Sequence, residues 1–396
     1  MGSDTSRAGR LIGFRAFEQI GFTALFVGYL VLAIVVIDDP LVGYPGLLLI
    51  LGLWLFYPVM SRSRELRIPA TTLLLAFGLT AAVGTSALFW QANSDLKDVV
   101  GLYTFFVIIP SLYLAAYRTI DDLENHVHYA LQIAFFGTAV IVLVDIFING
   151  FSVYRSQILG LNKNGVSFFF EVIYCYLLFN SKNKSGWWTA TVIGIGLTTL
   201  FFIFSKTAIG FGVVFTLGYF SPVLFVFSLV LIGVIGVSIM LFFDRSSLLV
   251  LGTAIDRLLL WTDALEEITR SWTRFFFGYG PGQYVSDVQQ YALADKKNIH
   301  NYFLQIAHGF GAITLTVIVS YFFWIFRQFG VLTSGPVAAF WIFNLHATFD
   351  VGWVTGQGFL ASLVLGMILA RNLPGSSRES VSAPTAGSSA VGTGEP

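Results

Sequence analysis

The chain has 396 residues, 56% of them apolar, with 40 Phe and 9 Trp, and its 22 Lys+Arg balance 22 Asp+Glu to a net charge of zero. Only 11% of residues are charged, where soluble domains carry about 25%, and the mean hydropathy is +0.77. These values exclude a soluble enzyme and a nucleic-acid binder held by a global basic field. The single cysteine, Cys175, lies in an apolar stretch, which excludes an intrachain disulfide and a thiolate metal cluster.

Met1 to Glu18 carries Arg7, Arg10 and Arg15 and precedes an apolar run, Gln19–Ile37. That run is too long for a signal-peptide core and reads as a retained first span. At about 20 residues per crossing, further spans are predicted at Leu41–Met60, Pro69–Trp90, Val99–Tyr117, Tyr129–Ile148, Val166–Asn180, Trp187–Phe204, Thr207–Phe220 and Pro222–Phe243. A polar segment, residues 244–300, interrupts the pattern, and three more spans follow at Asn301–Phe326, Gly335–Phe349 and Gly352–Ala370. Residues 372–396 are rich in Ser, Pro, Gly, Ala and Thr, too polar to bury a core, and are expected to be a disordered tail. The architecture this predicts is an all-α polytopic membrane protein of about twelve transmembrane helices. One transmembrane domain covers residues 1–371, with a single large outer loop of short helices.

Lys and Arg are retained on the cytoplasmic side of short loops. With the N-terminus inside, inner segments hold Arg7, Arg10, Arg15, Arg62, Arg64, Arg67, Arg118, Lys182, Lys184, Arg327, Arg371 and Arg378, whereas short outer loops hold only Lys97, Arg155, Lys163 and Lys206. This bias puts both termini in the cytoplasm and the large loop, with His300, on the outer face of the plasma membrane. Asp145, Glu171, His346 and Asp350 then fall near the outer leaflet. A charge in a bilayer costs a few kcal/mol and faces a cavity or a partner. An outward-opening polar cavity accounts for the four together; structural pairing accounts for each alone, and His346 and Asp350 are spaced to pair on one helix face.

The loop reads Asp256-Arg257-Leu-Leu-Leu-Trp261, then Phe275-Phe-Phe-Gly278-Tyr-Gly280-Pro281-Gly282-Gln-Tyr284, and ends at His300-Asn301-Tyr-Phe-Leu304-Gln305. Two other outer turns read Ser205-Lys206-Thr207-Ala208 and Gly160-Leu-Asn162-Lys163-Asn164-Gly165. Together these segments resemble the O-antigen ligase and O-antigen polymerase superfamily of bacterial envelope polysaccharide assembly. That family shows a Ser-Arg-Thr-Ala-like turn, an Arg followed closely by Trp in the large outer loop, a Gly-x-Gly-x-Gly-like turn, and a His-Asn-x-x-Leu-Gln-like helix start. The resemblance is strongest over Gly160–Gly311; in the first spans only hydropathy matches.

The resemblance implies a glycosyltransferase that moves an oligosaccharide from an undecaprenyl-pyrophosphate carrier to a glycan or lipid-core acceptor. Export and chain-length proteins are further implied partners, alongside membrane lipids. It implies that Arg257 and the basic residue of the Ser-Arg-Thr-Ala-like turn hold the pyrophosphate, and that His300 serves the acceptor hydroxyl. The turn carries Lys206, a point charge without the bidentate fork of arginine.

The chemistry of the residues is compatible with those roles. Charge that develops on a leaving pyrophosphate is best stabilised by preorganised cations where water is scarce. The neutral imidazole is the form that a general base at His300 requires. The plainer reading is that His300 caps its helix and Arg257 is solvated or binds a headgroup. Asn301, Asn162 and Asn164 suit sugar hydroxyls, and Asn162 and Asn164 equally suit an Asn/Gly turn. The glycine turn lacks the strand-to-helix setting of a nucleotide loop and reads as a tight turn at the membrane surface. Trp261, Trp272 and Phe275–Phe277 suit the interface or ordinary packing. No cofactor and no metal is expected, since outer loops carry neither an Asp-x-Asp nor a His-x-x-x-His pattern.

Two alternatives remain. Asp38 and Asp39 provide the acidic pair of a polyprenyl-phosphate sugar transferase, or only a turn before Pro40. A lipid-linked oligosaccharide flippase or ion-coupled transporter would call for midplane ionisable groups and a repeat of hydropathy.

Overall fold

The computed structural model describes residues 70–90, 94, 96–119, 122–152, 157–242, 253–282, 284, 299–349 and 356–371. The predicted spans Gln19–Ile37 and Leu41–Met60, the Asp38/Asp39 pair, Asp350 and the tail 372–396 lie outside the described residues. Of what is described, 83% is helical.

In chain order the helices are α1 (Ala70–Ala87), α2 (Leu96–Tyr103), a π-helical turn (Thr104–Ile108), α3 (Ile109–Thr119) and α4 (Leu123–Asn149). A two-stranded antiparallel ribbon, β1 (Gln157–Ile158) and β2 (Leu161–Asn162), leads into α5 (Lys163–Asn180). Then come α6 (Gly186–Ile203), α7 (Lys206–Phe220) and α8 (Pro222–Phe242). The polar segment contributes α9 (Thr253–Thr269) and α10 (Trp272–Phe277), and the chain closes with α11 (Tyr302–Phe329), α12 (Gly335–Ala347) and α13 (Gly356–Ala370). Each predicted span from Pro69 onward overlaps a helix among the described residues.

Five apolar stretches are long enough to cross a membrane: Ala70–Ala87, Asp98–Tyr117, Leu123–Asn149, Gly186–Ile203 and Tyr302–Phe329. About twelve spans were expected; the described residues show these five, with shorter apolar helices beside them. α12 has 13 residues, which at 1.5 Å per residue reach about 20 Å, short of a hydrocarbon core of about 30 Å. The protein is membrane-embedded, with helices of unequal length.

Burial separates a centre from a rim. Every residue of α5 from Gly165 to Phe179 is buried, and a helix covered on all sides sits in the middle of its bundle. α12 packs along α5, and α13 packs against α12, α3 and the π-turn. On the rim, Phe147 is 92% exposed and Trp187 85%, apolar surface of the kind that suits lipid or a partner. Arg371, after α13, pairs with Glu124 at the start of α4.

The helix ends follow from local chemistry. Asn162 caps α5 by accepting from the amides of Asn164 (2.9 Å) and Gly165 (3.4 Å), and Ser185 caps α6 by accepting from Trp188 N. Pro336 begins α12, where its missing N–H has no partner to lose. The π-turn frees carbonyls that an α-helix would use. Ser362 of α13 donates to the carbonyl of Phe105 at 2.6 Å, so the irregular turn is fastened to its neighbour. We predict that Ser362→Ala lowers thermal stability in detergent by about 1 kcal/mol, while Thr191→Val on the exposed face of α6 leaves it unchanged.

Candidate functional site

Arg257 lies in the second turn of α9 and is half-buried. One turn further on, Trp261 donates its indole N–H to the carbonyl of Ile299 at 3.1 Å. Leu260, Ala264, Tyr284 and Ile299 form a small apolar cluster beneath that bond. The amide of Ile299 in turn donates to Gln305 Oε1 at 3.3 Å. The chain is therefore held on both sides of Ile299, and the next residue is His300. The α9 turn that carries Arg257 and the corner that carries His300 are thus seated together.

His300 has φ 52°, a left-handed conformation that costs a non-glycine residue about 1–2 kcal/mol. Residues held this way tend to mark functional positions, because the surroundings must enforce them. Immediately after it, Asn301 Oδ1 accepts from the amide of Leu304 at 3.0 Å, capping α11. Asn301 Nδ2 donates to the carbonyl of Thr348, just past α12, at 2.9 Å. Both ends of this amide hold structure, which accounts for its place in the sequence without a ligand.

Lys206 is the exposed first residue of α7, and Lys163 the first of α5. Lys163 stands ahead of the predicted span, and its ammonium pKa is lowered, first by partial burial and then by the nearby charge of Lys206. Both cations stand at helix N-termini, where the helix dipole disfavours them. Asn162 and Asn164 share this turn; the carbonyl of Asn164 accepts from Ser167. Beside it, a small pocket is lined by Asp145, Ile158, Lys163 and Phe202. Asp145 Oδ1 accepts from Asn149 at 2.9 Å and from the amide of Leu159 at 3.0 Å. The link between the lysine end and the Arg257/His300 corner is aromatic. Phe349 lies 5.8 Å from Phe211 of α7 and 5.9 Å from Trp261, ring centre to ring centre.

Three arrangements were not legible in the sequence. The glycine turn docks onto a break in α11: Tyr279 N donates to the carbonyl of His308 at 2.7 Å, and Gly280 N to that of Gly309 at 3.1 Å. Gly311, at φ 80° and ψ 171°, makes the break. A Cβ there would stand 2.2 Å from the carbonyl oxygen of Phe276, and one on Gly278 would stand 2.6 Å from that of Gly309. Around this joint, His308 Nε2 meets Glu267 Oε2 at 2.8 Å. Tyr279 stacks on the His308 ring at 5.3 Å, and the Arg274 guanidinium lies 4.0 Å from the centre of Tyr279. Tyr284 donates to Asp263 at 3.0 Å.

The second arrangement is the interhelical pair of Glu171 in α5 and His346 in α12, at 2.5 Å. The sequence spacing pointed His346 toward Asp350; the contact found is with a carboxylate 175 positions earlier. The third is the division of the aromatic residues. Trp272 is 78% exposed, whereas Phe277 stacks on Phe89 at 4.1 Å and its carbonyl accepts from Trp90. No group of three or more His, Cys, Asp or Glu able to hold a metal ion occurs among the described residues.

No protein-family model matches the sequence, and no curated protein matches it.

Gly311→Ala is expected to lower stability by about 2 kcal/mol or more, since it adds a left-handed alanine and a backbone clash. Limited proteolysis is then expected to cut between Trp272 and Gly282 faster than in the parent chain.

Proposed function

We propose that the protein is a membrane glycosyltransferase of the O-antigen ligase and polymerase type. It transfers an oligosaccharide from an undecaprenyl-pyrophosphate carrier to an acceptor sugar hydroxyl at the outer face of the plasma membrane. The observation that carries this reading is the Trp261 bond to the carbonyl of Ile299, which ties α9, one turn past Arg257, to the residue directly before His300. Two lysines at helix starts add to it. An anion placed there would relieve both the mutual repulsion and the unfavourable dipole.

In this reaction Arg257 and Lys206 hold the donor pyrophosphate and stabilise the charge it gains. His300 removes the proton from the acceptor hydroxyl. The acceptor oxygen bonds to the anomeric carbon as the bond from that carbon to the pyrophosphate oxygen breaks, and the lipid pyrophosphate leaves with the electron pair. Asn162, Asn164 and Asn301 border the two ends of the site, where sugar hydroxyls would lie.

Proteoliposomes carrying the full chain, a lipid-linked repeat and, separately, a lipid-core acceptor provide the test. A ladder of products identifies a polymerase and a single addition a ligase; no new glycosidic bond with either acceptor rejects the proposal. Arg257→Ala and His300→Ala are expected to reduce transfer by about 100-fold or more. Lys206→Arg is expected to retain activity and Lys206→Ala to lose it.

A second reading, a lipid-linked oligosaccharide flippase or ion-coupled transporter, draws on the buried Glu171–His346 pair, since ionisable pairs inside a membrane serve as proton sites. It requires translocation that follows a proton gradient with no bond formed.

A further inference from the structure

We propose that Glu171 and His346 are a positioning pair that sets the His300 corner from within the helix core; the proposal rests on the transferase reading for its kinetic consequences. Glu171 is fully buried and His346 nearly so. Their contact at 2.5 Å uses Glu171 Oε2 and His346 Nδ1. Among the described residues Glu171 Oε1 has no hydrogen-bond partner. The surroundings are apolar: the His346 ring stacks on Phe168 at 4.1 Å and approaches Phe211 at 6.4 Å.

Two apolar side chains of equal volume would hold α5 against α12 at least as firmly. What a directional bond adds is a fixed axial and rotational setting, the role in which buried polar groups are best attested. Here the setting is transmitted. The carbonyl of His346 accepts from the amide of Phe349 at 2.8 Å and that of Leu345 from Thr348 at 3.2 Å, so the backbone position of His346 sets Thr348 and Phe349, two and three residues on. Thr348 presents its carbonyl to Asn301 Nδ2, and Asn301 follows His300 directly. Phe349 presents its ring to Trp261, whose indole holds the carbonyl of Ile299, directly before His300. Two routes from one buried contact therefore converge on the two neighbours of the left-handed histidine. The same ring stack reaches α7 through Phe211, five residues past Lys206. Glu171 stands nine residues beyond Asn162, about 13 Å along α5, so it acts without touching the site.

The test uses the full chain in proteoliposomes with a lipid-linked oligosaccharide, and amide hydrogen exchange on the same variants. Glu171→Leu and His346→Leu are each expected to lower kcat about tenfold, with donor KM within about threefold. The double variant should be no worse than either alone, because members of one unit are not additive. Glu171→Gln keeps an oxygen for His346 Nδ1 and is expected to stay within about threefold of the parent. Exchange at the amides of Leu304 and Gln305, which rest on Asn301, should accelerate in both leucine variants, while α6 stays at parent rates. Where Glu171→Leu does not fold, Glu171→Asp, one methylene short of the contact, is expected to show the same kinetic and exchange changes.

Parent-like exchange at Leu304 and Gln305, additive losses, or an equal loss in Glu171→Gln would overturn the positioning role. A parent chain that forms no glycosidic bond would instead overturn the transferase reading, and the exchange result would still decide whether the pair sets the corner.

Discussion

Lipid offers no hydrogen bonds, so each backbone N–H and C=O freed where a membrane helix starts, stops or breaks must find its partner within the protein. The described fold is organised around meeting that requirement. Asn162, Ser185 and Asn301 cap helix starts, Ser362 closes the π-turn, and the glycine turn supplies N–H groups to the break in α11. The candidate site lies among these ends. Helix starts there bring Lys163, Lys206 and His300 out of the apolar region while the backbone around them stays satisfied.

The centre of the bundle imposes a second condition. With α5 covered on every side, a carboxylate on it has no path to bulk water, so Glu171 must either be neutral or face a partner. His346 meets it from α12, a helix too short to span a bilayer alone. The shortness of α12 brings its last turn level with the corner where α11 begins, and Thr348 and Asn301 are hydrogen-bonded there.

Hydropathy made the helices legible, because runs of apolar residues broken by Asn, Ser, Gly and Pro record where the chain leaves the apolar phase. The Trp261–Ile299 bond was not legible, since no periodicity links positions 38 residues apart. The Glu171–His346 contact joins positions 175 apart, a separation that no helical spacing reports. His308 and Glu267, 41 residues apart, gave no local signal either. Gly278 and Gly311 were visible as glycines, but their purpose arises from two backbones approaching where a single Cβ would collide. Such long-range coincidences arise from packing and leave no mark on local composition.

The glycine turn is fastened to α11 through main-chain atoms at both of its bonds. Main-chain bonds do not depend on which side chains surround them, so the register of the loop is insensitive to most substitution nearby. Changes of side chain in the turn, its glycines at positive φ excepted, therefore leave the two bonds that hold it to α11 in place.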